Sequence, residues 1–215
     1  MKNVKKHIIA LALLCIYAAF SFNNVFAQAA ASQSSSQVLR IKNITKLGRD
    51  TLQRAPTIGS RSPRAKDWGV IDVEFDTAAE WLDEVSVTFT VMTFNPKVNV
   101  RDGEKPMSLF STTSSFKNIS AGRGHKAGVV LLPSTLERYG PVVGIGVQFY
   151  LGGQIIAEEG IGDASVFKDQ AQRAAWWKIS EITDSPNVQK REGFLLERTK
   201  TIFALVDPDS YEVSH

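Results

Sequence analysis

The chain has 215 residues, 43% hydrophobic and 22% charged, with 25 Lys and Arg against 22 Asp and Glu. Lys2, Lys5 and Lys6 stand in the first 27 residues without an acid, so the remainder carries 22 of each sign, and this neutrality gives no reason to expect nucleic acid. The one cysteine, Cys15, lies in the same leader, which excludes a cysteine nucleophile or a disulfide from the rest and leaves stability to a hydrophobic core.

The leader reads as an address. A basic start precedes the apolar run Ile8 to Phe22, and Val25-Phe26-Ala27 ends in the small residue that a signal peptidase requires. The run is shorter than the roughly 20 residues that span a bilayer. Leu14 before Cys15 does not fit a lipoprotein site. The expectation is a secretory signal, residues 1–27, cut after Ala27, with export to the periplasm or cell surface. No later run is long and apolar enough to span. Residues 28–37 contain only Ala, Gln and Ser and read as a flexible tether. Residues 38–215 form the expected body.

Val38 to Thr45 alternates and is the first predicted strand. Arg49 to Lys66 holds Pro56 and Pro63 and reads as a loop. Its cluster of Arg54, Arg61, Arg64 and Lys66 is either a contact for a partner or an acidic glycan, or a solvated loop. Trp68 to Phe75 is the second strand. Trp81 to Phe94 carries the strongest signal: Val85, Val87, Phe89 and Val91 alternate with Glu84, Ser86, Thr88 and Thr90. A repeat of two gives a strand with one apolar face and fits no helical stripe. Asn95-Pro96 ends it.

Met107 to Lys117, rich in Ser and Thr, is a weaker strand with the character of an edge. Gly122, Gly124 and Gly128 around His125 lack the order of a phosphate loop and read as a flexible turn. Ala127 to Leu132 is the next strand. Ser134 and Glu137 have capping-box spacing, and Gly140 is placed as a helix stop. In Pro141 to Ile156, Val143, Ile145, Val147 and Phe149 share a face, and Gly152-Gly153 forms a hairpin turn. Gly144 and Gly146 fall on the opposite face, where another group can approach closely. Asp163 to Ala175 reads as a short helix, Trp176 to Thr183 as extended, and Gly193 to Val206 as a closing strand or pair.

Catalytic constellations are thin. His7 belongs to the leader and His215 is the last residue, so a hydrolase would rest on His125, without a G-x-S-x-G motif. One histidine makes no histidine-rich metal site. Glu158 and Glu159 are adjacent and would point to opposite faces of a strand, not across a cleft. Asp207 and Asp209 lack the ligand count of a calcium loop. Neither a cofactor nor a metal is expected. In an extended Trp176-Trp177, Trp176 would share the outer face with Lys178, as a contact for protein or sugar; the alternative buries Trp176 under the Ala-rich segment.

Strand number, helical turn and glycine hairpin resemble an immunoglobulin-like sandwich without its Cys-Trp-Cys hallmark. Trp68-Gly-Val-Ile-Asp-Val-Glu-Phe75 and Trp81-Leu-Asp-Glu-Val-Ser-Val-Thr-Phe-Thr-Val91, with the signal and tether, resemble small exported proteins encoded beside type IV pilus-like genes in verrucomicrobial bacteria. The resemblance implies a non-enzymatic, envelope-associated accessory to pilus assembly. Its expected partners are envelope or pilus-like proteins and further copies of itself, with peripheral association at the outer membrane. The chain lacks the uncleaved apolar helix of a pilin, so it is not expected to be the filament subunit. The expectation is an all-β, immunoglobulin-like antiparallel sandwich with one or two short helices. The rivals are a carbohydrate-binding module using Trp176 and a hydrolase using His125.

Overall fold

The computed structural model describes residues 38–56, 66–78, 81–99 and 103–214. The predicted leader and tether, and Arg61 and Arg64 of the basic loop, lie outside the described residues. The first strands are β1 (Leu39–Ile44), β2 (Leu52–Arg54), β3 (Asp67–Thr77), β4 (Leu82–Phe94), β5 (Met107–Ile119) and β6 (Gly122–Leu131). Helix α1 (Pro133–Tyr139) leads to the hairpin β7 (Val142–Leu151) and β8 (Gln154–Gly162). Short helices α2 (Gln170–Ala175) and α3 (Ser180–Thr183) follow, then β9 (Val188–Arg191) and β10 (Leu195–Glu197).

The strands form two sheets. One has the order β1-β3-β6-β10, with β2 on another stretch of β3; the other has the order β8-β7-β4-β5-β9. Their inner faces make the core. Val85, Val87, Phe89 and Val91 of β4 are fully buried, as alternation requires, and so are Ile71, Val73 and Phe75 of β3. Phe75 and Phe149 meet across the sheets with ring centroids 4.9 Å apart. The expected sandwich is present, with one departure: β5 and β9 pair in parallel, so the second sheet is mixed.

Both outer faces are partly covered as well. On β4 the outward positions change character along the strand, from Ser86, Thr88 and Thr90 to Met92 and Phe94. Met92, Leu109, Val143, Phe167, Trp176 and Val188 form a second apolar cluster. On the other sheet, outward Val70 and Val130 are covered by Phe203, with Trp68 alongside. Residues 198–214, mostly 3-10 turns, run over that face as a strap.

Several local expectations are corrected. The glycine-rich stretch 122–128 is the first part of β6, not a flexible turn; Gly124 takes a positive φ of 76° and the strand continues through it. Arg49 to Lys66 includes the short β2, since its residues find a ladder on β3. Helix α1 starts two residues early: Leu132, not Ser134, is its N-cap, without a side-chain cap bond, and Pro133 takes the first turn, where a missing N–H costs nothing. Gly140 stops α1 as expected, with φ 85°. Trp176 to Thr183 is a 3-10 turn and α3, not extended. The predicted closing pair in 193–206 reduces to three residues of β10, because the rest becomes the strap.

Candidate interaction surfaces

The tryptophans are organised by glycines. Gly144 and Gly146 on β7 stand beside Gly162 and Gly160 on β8, on the outer face. The four open a flat cradle without side chains. A Cβ on Gly144 would lie 2.7 Å from the Trp176 ring, and one on Gly146 would lie 2.5 Å from Trp177. In a strand two successive rings point opposite ways, but the 3-10 turn lets both descend into the cradle. Trp176 is 0% exposed, its Nε1 donates to Ile161 O at 3.1 Å, and its ring stacks on Phe167 at 5.6 Å. Trp176 is therefore a core residue, which removes it as a partner or glycan contact. Lys178 is half-exposed and ion-paired with Glu158 of β8. Arg54 is exposed on β2, while Lys66 bonds Glu137 at 3.3 Å. The predicted contact residues thus form no single patch: Trp176 and Lys178 sit over one sheet and Arg54 belongs to the other.

His125 does gather partners. Its Nδ1 lies 2.6 Å from Glu212 Oε1 on the strap, so Nδ1 carries the proton in the bond to the carboxylate. Its Nε2 lies 3.3 Å from Thr77 Oγ1. The hydroxyl is already engaged, donating to Ser120 O at 2.9 Å and accepting from Gly122 N–H at 3.0 Å. Thr77 is buried, and Phe75 stacks on the imidazole at 5.3 Å. These contacts tie the strap to β6.

A second tie is ionic. Arg198 is buried, its Nη1 lies 3.6 Å from Asp72 Oδ1, and its guanidinium lies 3.8 Å from the centre of the Tyr211 ring. Tyr211 Oη donates to Asp72 Oδ2 at 2.9 Å. Burial outweighs these partners and raises the Asp72 carboxyl above its ordinary range. Burial also raises the Tyr211 hydroxyl well above its ordinary range, with the Asp72 charge adding to it. Gly128 makes room for the cluster, because a Cβ there would lie 2.3 Å from Asp72 Oδ1.

Open backbone is found on β5. It pairs with β4 over its length, whereas β9 accompanies only Met107 to Phe110. Beyond that, the described residues offer one bridge, Phe116 to Ser214 of the strap. Met107 N–H donates to Asn187 O just before β9. Since strand amides alternate, the N–H groups of Ser111, Thr113 and Ser115 point to the same side, where no strand lies among the described residues. Trp81, 67% exposed, precedes β4 at the end where Leu82 pairs with Ile119. The edge expected at Met107 to Lys117 is corrected: β9 takes the edge beside Met107 to Phe110, and only the later part of β5 lacks a ladder partner on that side among the described residues; β9 and the strap pair too briefly to leave a periodic signal.

A family model whose description ends in "-like" matches residues 30–215. The chain belongs to that family. Among solved structures, a crystal structure of a protein from Akkermansia muciniphila matches with a TM-score of 0.63 and 18% identity, over 83% of this chain and 92% of that one. At that identity the likeness establishes the fold. No curated protein matches the chain. Among the described residues no helix is long and apolar enough to cross a membrane, and no group of three His, Cys, Asp or Glu is placed to hold a metal.

Proposed function

We propose that this chain is an exported, non-enzymatic member of its family that serves a pilus-like envelope assembly as an accessory, through contact with other proteins. One observation carries the reading: among the described residues β5 has no ladder partner but β4 beyond Phe110, apart from the bridge of Phe116 to Ser214. A row of unpaired strand amides and carbonyls can accept an added strand, one recurring way in which a sheet edge recruits an extended segment. The verrucomicrobial resemblance of the Trp68 and Trp81 stretches supports the pilus side. Engagement of the Thr77 hydroxyl by two backbone groups counts against a hydrolase on His125.

The experiment is co-purification of the exported form with pilus-like proteins of the same envelope, for the parent and for Ser111→Pro. Proline deletes one outward N–H and is tolerated on an edge. Association that is lost in Ser111→Pro is the expected result. A parent protein that stays monomeric and binds none of those proteins would overturn the proposal.

A further inference from the structure

At the end of the sandwich where β4 ends and β5 begins, a cavity of about 380 Å³ opens between residues 95–98, residues 103–105, the last turn of α1, and β9. Lys97, Lys105, Arg138 and Arg191 line it, with Glu104 as the acid and Tyr139 at its wall. Among the described residues that line it, four cations stand against one acid, in a body whose charges balance as a whole. Neither Arg138, Arg191, Lys97 nor Glu104 belongs to an ion pair among the described residues.

Exposed lysines alone would be ordinary solvated charges. Arg191 is different, because two buried groups fix it. Its Nε donates to Ser108 Oγ at 3.0 Å, and its guanidinium lies 4.1 Å from the centre of the Tyr139 ring. That ring is itself held by Phe110 and Phe194. Arg138 approaches the same ring at 5.2 Å. A guanidinium has five N–H donors, and only the Nε one of Arg191 is used. Among the described residues the remaining fork has no protein acceptor, and it is held beside three more cations.

From this arrangement we infer that the cavity binds a tetrahedral oxyanion, the sulfate or phosphate monoester of a small molecule or sugar. A planar fork reads two oxygens of such a group, and the lysines neutralise its charge without fixing its orientation. The cations converge on one cavity instead of tracking along a surface, so a single compact group fits and a nucleic-acid backbone does not. This site is separate from the β5 edge and does not depend on the proposed pilus role.

The test is titration of the exported form with inorganic sulfate, inorganic phosphate, glucose 6-sulfate and glucose 6-phosphate at low ionic strength, followed by amide chemical shifts. Saturable shifts around Tyr139 and β9 are expected. Arg191→Gln should weaken binding at least ten-fold, and Arg191→Lys nearly as much, since lysine keeps the charge without the fork. Arg138→Gln, on an exposed side chain, should weaken it several-fold, and Arg54→Gln not at all. If phosphate is the ligand, affinity should drop below about pH 6, where it loses its second charge, while sulfate binding stays level. No saturable shift with any of the four, equal competition by chloride, or full binding by Arg191→Gln would overturn the inference.

Discussion

Gly144 and Gly160 face tryptophans in the same cradle, yet their tolerance should differ. An added Cβ on Gly160 comes closest, 1.9 Å from Trp177, but Trp177 is partly exposed and can tilt outward. At Gly144 the Cβ would lie 2.7 Å from Trp176, which is buried and pinned by its bond to Ile161. Gly144→Ala should cost about 1–3 kcal/mol as an overpacking change, and more than Gly160→Ala, compared by urea midpoints. Equal costs would mean that both rings yield alike. Asp72 makes a second test. Burial raises its folded pKa above the ordinary 3.8, so the folded state holds the proton more tightly than the unfolded one. Its contribution is fully present below the ordinary carboxylate range and is lost as pH rises through the raised value. The stability of the parent relative to Asp72→Asn should therefore increase as pH falls from neutrality toward that range. The reverse slope would show that Arg198 and Tyr211 outweigh burial.

Trp176 is the anchor of an element with little else to hold it. Helices α2 and α3 have six and four residues, too short to persist in water unaided. They stay because Phe167, Trp176 and Ile182 rest on Met92, Leu109 and Val143. Trp176→Ala should cost about 3–5 kcal/mol, and hydrogen exchange should show amides 167–183 opening before those of β4. Uniform opening would contradict this picture. The same contrast explains what was legible in the sequence. β4 and the β7–β8 hairpin were readable because strict alternation and Gly152-Gly153 are local signals, and the glycines on the opposite face correctly announced close approach. Burial of Trp176 was one of two readings the sequence left open, and the joint descent of Trp176 and Trp177 onto one face was not readable. It depends on a cradle formed by two strands about fifteen to thirty residues away in sequence, and Trp-Trp-Lys-Ile alternates well enough to mimic a strand. The contact set predicted at Trp176 failed for that reason. The basic cavity was missed because Lys97, Arg138 and Arg191 meet only after folding.

For the molecule as a whole, residues 207–214 of the strap act where the two sheets leave their edges bare. β10 covers β6 only from Val129 to Leu131, and β9 covers β5 only to Phe110. Into that gap come Tyr211, bridged to Lys126 on β6, and Ser214, bridged to Phe116 on β5. Glu212 adds a backbone bond to Lys126 O at 2.7 Å and its carboxylate to His125. One short segment thus joins one edge of each sheet, using few contacts and exposing Val213. Deleting residues 207–215 should leave the sandwich folded, since the inner core is untouched. It should lower the thermal midpoint by several degrees, at roughly 2–4 °C for each kcal/mol in a chain of this size. The freed edges should then pair between molecules, giving association that grows with concentration in light scattering. Ser111→Pro on the truncated chain should suppress that association if it runs through β5. Association unchanged by Ser111→Pro would place it on β6 instead, and a truncated chain that remains monomeric would show that the strap stabilises the sheets without guarding their edges.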